Sequence, residues 1–166
     1  MSGTRKLVLT AVLSAAALGI FLVEAQLPAP VPIPGVKLGL ANIITLVAMS
    51  LLGRRSAAAV LGVRLLLGSM FTGSVSALLY SAAGGVLAYA VMAALIGAFP
   101  RNMLWVVSIL AAIAHNAGQL AMAAAITATP GILWYGPALL IAAVLTGAFT
   151  GLAAIYLLKG LEKLPK

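Results

Sequence analysis

Three polar side chains stand close together in an otherwise apolar stretch, and their types are suited to binding or proton transfer. His115 is the only histidine of the chain, and Asn116 and Gln119 follow it within an apolar run from about Met103 to Ala128. His115 and Gln119 are four residues apart and share a helix face, whereas Asn116 lies about 100° around the helix. Such groups in a membrane helix usually face protein or a water-filled cavity. We therefore expect either a ligand site or hydrogen bonds that fix helix packing.

Further polar residues fall at the ends of neighbouring apolar segments or inside one of them. Glu24 ends the first segment, Lys37 and Asn42 begin the second, and Arg64 lies within the third. Arg64 is expected either to bind an anionic ligand through two parallel N–H groups or to brace the bundle. Lys37 is either a solvated charge at the membrane interface or a ligand contact. The predicted substrate-binding residues are His115, Asn116, Gln119, Asn42, Arg64, Lys37 and Glu24.

The composition predicts an integral membrane protein and excludes several kinds of chemistry. Of 166 residues, 64% are hydrophobic and only 7% are charged, which leaves too little polar surface for a soluble domain. The chain has no cysteine, no aspartate and two glutamates, so thiol chemistry and a carboxylate-held Mg²⁺ site are not expected. It also lacks a Walker-type phosphate-binding loop. We expect no enzymatic activity, no catalytic residue, no metal and no cofactor.

Six apolar segments must position these side chains, and they predict an all-α bundle of six transmembrane helices in one domain, 1–166. The first segment resembles a signal peptide, but it lacks a clear cleavage site and reads better as a retained helix. A proline-rich stretch between Gln26 and Gly35 predicts an extended loop, and Thr129 to Pro137 predicts another. The predicted helices are about 7–24, 38–53, 56–71, 76–99, 103–128 and 138–158.

The distribution of positive charge predicts the orientation of this bundle. With six spans, both termini share one side of the membrane, and eight Lys or Arg residues fall there against Lys37 alone on the other. The positive-inside rule places both termini in the cytoplasm. His115, Gln119 and Asn42 then lie in the outer half, near Glu24 and Lys37, which favours a site open to the outside. The net charge of +8 is spread singly over segment ends, so we expect no nucleic-acid partner.

Small residues recur at the spacing that lets helices pack closely. Gly147 and Gly151 form a GxxxG pair in the sixth segment, for which internal helix packing is the favoured interpretation. Ala11 and Ala15 lie four residues apart in the first segment, where either internal packing or a partner surface fits the spacing.

The stretches Pro34–Asn42, Arg64–Ser69 and Ala114–Gln119 resemble the bacterial Gx transporter family, which is also labelled heptaprenyl diphosphate synthase component I. The resemblance spans nearly the whole chain. That family is similar to the S-components of energy-coupling factor (ECF) transporters, which bind vitamins. The resemblance implies an S-component-like bundle of six helices, a substrate site on the outer side, and loops that close over it.

The same resemblance implies a function in the bacterial cytoplasmic membrane. It implies uptake of a small molecule such as a vitamin, a flavin, a quinone or an isoprenoid precursor. It also implies docking onto a membrane scaffold that carries two ATPases, with Ala11 and Ala15 as the docking pair. The alternative is an accessory membrane subunit of isoprenoid or quinone synthesis, because the absence of aspartate speaks against the prenyl diphosphate synthase reaction itself.

Overall fold

The computed structural model describes residues 2–27, 37–73 and 75–162, and in these ranges the regular structure is entirely helical. The predicted all-α bundle of six helices is confirmed. Most of the predicted proline-rich loop, residues 28–36, lies outside the described residues. The α-helices are α1 (Gly3–Glu24), α2 (Asn42–Leu52), α3 (Arg54–Thr72), α4 (Val75–Leu95), α5 (Leu104–Thr127) and α6 (Gly136–Glu162).

Five of these helices, all except α2, are long and apolar enough to cross a membrane. Their outward faces carry large apolar side chains that no protein covers; Leu145 and Phe149 on α6, for example, are 67% and 66% exposed. Because lipid tails are as apolar as these side chains, such a surface suits a bilayer and not water. The chain is therefore a multi-pass membrane protein.

The second helix is the shortest and the most completely enclosed. Eight of its eleven residues are buried, and it contacts α1, α3, α4 and α6. A helix of eleven residues is about 17 Å long, well short of a hydrocarbon core of about 30 Å. Its apolar character therefore reflects protein on all sides and not lipid.

The predicted start of α2 at residue 38 was wrong, because the chain turns before the helix begins. Gly39 has a φ of 79°, in the left-handed region that glycine adopts without strain. The amides of Asn42, Ile43 and Ile44 then bond to carbonyls three residues earlier. This turn delays the helix to Asn42 and aims backbone N–H groups at the end of α1.

Other predicted helix limits differ by a few residues, for local reasons. α1 begins at Gly3 because Ser2 caps it, with Ser2 Oγ accepting from the Arg5 amide at 3.4 Å. α4 ends at Leu95, earlier than the predicted 99, and residues 96–98 form a turn after it. The predicted loop from Thr129 instead forms a 3₁₀-helix at Pro130–Tyr135, and α6 begins directly after it.

α5 lies between α4 and α6, and glycines allow its backbone to approach both neighbours. A Cβ built on Gly147 would lie 2.6 Å from the Ile109 Cα, and one on Gly151 would lie 2.4 Å from the Trp105 Cα. The predicted packing role of the GxxxG pair is confirmed. Ser108 and Thr150 share a buried hydrogen bond of 2.9 Å across the same interface.

Candidate functional site

A group of buried polar side chains lies where the end of α1, the start of α2, and α3, α4 and α5 meet. We call it the polar cluster. It encloses a cavity of about 10 Å³, hardly room for one water molecule. Its members come from five helices and the turn before α2, so the fold positions them, not local sequence. They are Glu24, Lys37, Asn42, Arg64, Ser81, His115 and Gln119.

Glu24 places its carboxylate at the N-terminal end of α2. Its Oε1 accepts a hydrogen bond from the Gly39 amide at 2.5 Å, and the Leu40 amide also bonds to the carboxylate. Backbone N–H groups at the start of a helix favour negative charge, and the helix dipole adds to that preference. These hydrogen bonds join Glu24, the last residue of α1, to the turn that begins α2. Glu24 is only 5% exposed, so they lie inside the protein.

Arg64 brings a full positive charge into the middle of the bundle. It is 2% exposed, and its Nη1 donates to Asn42 Oδ1 at 3.2 Å. Its Nε is buried and has no hydrogen-bond partner among the described residues. Gly85 makes room for the guanidinium, because a Cβ there would lie 3.0 Å from Nη2. The Glu24 carboxylate is close enough to interact electrostatically with this charge.

Lys37 and Gln119 link the turn before α2 to α5. The Lys37 amide donates to Gln119 Oε1 at 3.1 Å, while Gln119 Nε2 is buried without a partner in the described structure. The Lys37 ammonium lies 3.5 Å from the centroid of the Phe21 ring, a cation–π contact. Burial lowers the pKa of Lys37, and the nearby Glu24 carboxylate opposes this shift.

His115 is held between two glycine backbones. A Cβ on Gly39 would lie 2.9 Å from the imidazole Cδ2, and a Cβ on Gly84 would lie 2.8 Å from Nδ1. Neither ring nitrogen makes a hydrogen bond of good geometry within the described residues, although Nδ1 lies against the Gly84 backbone. The ring is therefore fixed mainly by close packing.

Asn116 does not join the polar cluster. Its Nδ2 donates to the Leu139 carbonyl of α6 at 2.9 Å, on a different face of α5 from His115 and Gln119. The other six predicted substrate-binding residues lie together. Asn116 instead connects α5 to α6 and lines a groove of about 240 Å³ between these helices.

Four members of the site environment were missed by sequence reasoning. Ser81 is a buried hydroxyl without a partner in the described structure, and its polarity within an apolar segment was an available signal. Gly84 was visible as part of a Gly-Gly pair, but the pair does not indicate which residue fills the space beside it. Phe21 and Gly39 carried no signal, since their roles depend on the tertiary fold.

The cluster has the chemistry of a binding site. Two cations, Lys37 and Arg64, face the carboxylate of Glu24. Three N–H donors lack a hydrogen-bond partner among the described residues: Lys37 Nζ, Arg64 Nε and Gln119 Nε2. Within the described residues no group of three His, Cys, Asp or Glu side chains is placed to hold a metal ion. The arrangement can hold a ligand by charge and hydrogen bonds.

The predicted docking pair lies on the membrane-facing surface of α1. Ala11 and Ala15 are both exposed, in contrast to Ser14 and Ala17, which face the bundle. Ala11 and Ala15 therefore do not form a close helix contact within the described part of this chain, unlike the glycines between α5 and α6. Their surface is available to a partner or to lipid.

Comparison with known proteins identifies the family of the chain. No curated protein and no solved structure gives a match. The family model described as heptaprenyl diphosphate synthase component I matches residues 13–157, which include α2 to α5 in full and all seven residues of the polar cluster. The chain belongs to the heptaprenyl diphosphate synthase component I family.

Proposed function

We propose that this protein is a substrate-binding membrane component that captures a small molecule from outside the cell for uptake, and that it catalyses no reaction itself. The observation that carries the proposal is the polar cluster, whose buried N–H donors have no hydrogen-bond partner in the part of the chain that the structure describes. A donor left unpaired in a protein interior costs about 1–3 kcal/mol. Several such donors around one point would not stabilise helix packing, because they form no hydrogen bonds. They are suitably placed to bind a ligand that has acceptor atoms.

Binding must change the cluster, because its cavity of about 10 Å³ is far smaller than a ligand pocket of about 300 Å³ or more. Glu24, Lys37 and Asn42 lie at the end of α1, in the turn before α2 and at the start of α2. Such segments are easier to displace than the helix centres that carry Arg64 and His115. We propose that the helix ends separate to admit the substrate and then close over it. Vitamins, flavins, quinones and isoprenoid precursors remain the candidate substrate classes.

Energy for uptake, if the cell couples it to ATP, must come from a partner, since this chain has no Walker-type loop. We propose that the α1 surface at Ala11 and Ala15 docks onto an energy-coupling membrane scaffold with two ATPases. Small exposed side chains at this spacing permit close helix contact in a membrane. Affinity purification from the native membrane should recover the scaffold.

The double variant Ala11→Trp plus Ala15→Trp tests this docking surface. Both positions are exposed, so the variant should fold normally while its indole rings keep a partner helix away. Leu145→Trp is the matched control, because it adds the same ring to an exposed position of α6. Scaffold recovery should fall about 10-fold or more in the α1 variant alone. Equal recovery from all three proteins would remove the docking proposal.

An accessory role in isoprenoid or quinone synthesis is the second candidate function. The description of the family favours it, and a prenyl diphosphate would suit two buried cations. In that role the protein would hold a lipid-linked substrate or product for a separate enzyme. A prenyl diphosphate that binds the purified protein, without uptake of that compound into proteoliposomes that also contain the energy-coupling partner, would favour this second function.

Ligand binding is the decisive measurement for both candidates. The purified protein should be screened by thermal shift and native mass spectrometry against vitamins, flavins, quinones and prenyl diphosphates. A true ligand should raise the melting temperature, and Gln119→Ala should weaken its binding by roughly 10-fold because one buried hydrogen bond is lost. Ser108→Ala, which removes a buried hydroxyl from α5 outside the cluster, should bind normally. A ligand indifferent to Gln119→Ala and Arg64→Ala would place the site elsewhere.

A further inference from the structure

We infer that the polar cluster is an anion-binding site, and that the Glu24 carboxylate holds the place that an acid group of the ligand takes on binding. This inference rests on the proposed binding function and deepens it, because it names the class of ligand: a carboxylate or phosphate compound.

The charges of the cluster do not balance. Lys37 and Arg64 are both positive, and among the described residues that line the cavity Glu24 is the one carboxylate. Arg64 is 2% exposed, so water does not screen its charge. A buried cation without full compensation is costly, and a more highly charged group such as a phosphate in the place of Glu24 lowers that cost.

The unpartnered atoms point to the same ligand class. Lys37 Nζ, Arg64 Nε and Gln119 Nε2 are donors only, so each needs an acceptor that the described protein does not supply. Carboxylate and phosphate oxygens are strong acceptors with several lone pairs, and an arginine binds them through parallel N–H groups. A ligand amine or quaternary ammonium would satisfy none of these donors and would add a third positive charge.

Glu24 already occupies a place built for an anion. Its carboxylate accepts from the amides of Gly39 and Leu40 at the N-terminal end of α2, an 11-residue helix, and it is attracted by Lys37 and Arg64. A ligand acid group would find the same backbone donors and the same two cations. Glu24 is the last residue of α1, and Gln26, two residues later, is exposed. Binding of a ligand acid group therefore requires the displaced carboxylate to move away from the cluster at this end of α1.

Chemical rescue tests this inference without knowledge of the natural ligand. Glu24→Ala removes the carboxylate and leaves a space that acetate fits, so sodium acetate at tens of millimolar should raise its melting temperature by roughly 3 °C or more. Acetamide, which has the same shape and no charge, should give no such rise, and sodium chloride controls for ionic strength. Glu162→Ala is the matched control, because Glu162 is the only other acid of the chain.

Equal effects of acetate and acetamide on Glu24→Ala, or an equal effect of acetate on Glu162→Ala, would overturn the inference. Where Glu24→Ala does not fold, Glu24→Gln keeps the shape of the side chain and removes its charge. This variant should bind inorganic pyrophosphate about 10-fold more tightly than the wild type, because the competing carboxylate is gone. Unchanged or weaker pyrophosphate binding by Glu24→Gln would likewise overturn it.

Matched organic probes separate this inference from the proposed function. Nicotinate and nicotinamide differ in an acid group, as do isopentenyl diphosphate and isopentenol. Stabilisation by the acidic member of a pair supports both ideas. A neutral compound whose binding depends on Gln119 leaves the binding function in place and overturns the anion site. Acetate rescue without uptake of any acidic compound into proteoliposomes that also contain the energy-coupling partner supports the anion site and removes the uptake function.

Discussion

The imidazole of His115 fits in its position because the two residues beside it, Gly39 and Gly84, have no side chains. Gly39 and Gly84 pack against the ring from opposite segments of the chain, and no side chain fits at either position. Protein interiors are close-packed, so a ring enclosed in this way has little freedom to shift when one neighbour grows. The His115 ring therefore packs against both the turn before α2, at Gly39, and α4, at Gly84.

Gly84→Ala should destabilise the protein and disturb the cluster. The new Cβ would lie 2.8 Å from both His115 Nδ1 and the His115 carbonyl oxygen, and 2.9 Å from the Gln119 side chain, so α4 and α5 must separate. Overpacking of this kind costs about 1–3 kcal/mol. Gly62→Ala is the matched control, because a Cβ at this position of α3 meets nothing within 4 Å. Unfolding in mixed detergent micelles measures both variants, and equal stabilities would refute the close packing.

At the same scale, the members of the cluster differ in how far sequence could predict them. Polar side chains in apolar segments are conspicuous, so Arg64, His115 and Gln119 could be selected before any fold was known. Whether Asn116 faces the same way depends on where α6 packs, and the helical period alone leaves that open. Ser81 was overlooked because a serine is unremarkable in a membrane helix, where its hydroxyl usually bonds to its own backbone.

At the scale of elements, α2 was the hardest helix to predict correctly. Its apolar sequence resembles a membrane span, yet burial in the bundle and burial in lipid select the same residue types. Its late start depends on the positive φ of Gly39 and on the Glu24 carboxylate, which lies 15 residues away along the chain. A window of local sequence contains no information about such a contact. The limits of α5 were predicted to within one residue at each end, because no turn of the kind seen before α2 shortens its apolar segment.

The α5–α6 interface gives the clearest prediction at this scale. Gly151→Ala places a Cβ 2.4 Å from the Trp105 Cα, a backbone atom that cannot turn aside, so the two helices must move apart. The loss of packing should cost about 1–3 kcal/mol. Gly160→Ala lies on the same helix where a Cβ meets nothing within 4 Å, and it should be neutral or slightly stabilising through helix propensity. Reversible unfolding monitored by circular dichroism would compare them, and matching curves would contradict the assigned contact.

For the whole molecule, orientation in the membrane decides which side of the cell can reach the polar cluster. Glu24 and the turn before α2 lie at the N-terminal end of α2, whereas the Arg54–Arg55 pair follows its C-terminal end. Arginine and lysine resist transfer across the membrane in short loops, so the end rich in these residues stays inside. The eight-to-one charge distribution therefore predicts that the cluster faces outward.

The absence of cysteine makes this orientation directly measurable. Asn102 and Thr129 are exposed residues at opposite ends of α5. Replacing either one with cysteine gives a protein with a single thiol. Thr129→Cys should react with a membrane-impermeant maleimide in intact cells, whereas Asn102→Cys should react only after permeabilisation. The unsubstituted protein supplies the blank, because it has no thiol to label. The opposite labelling pattern would turn the cluster toward the cytoplasm, and capture of an external substrate would then have no physical route.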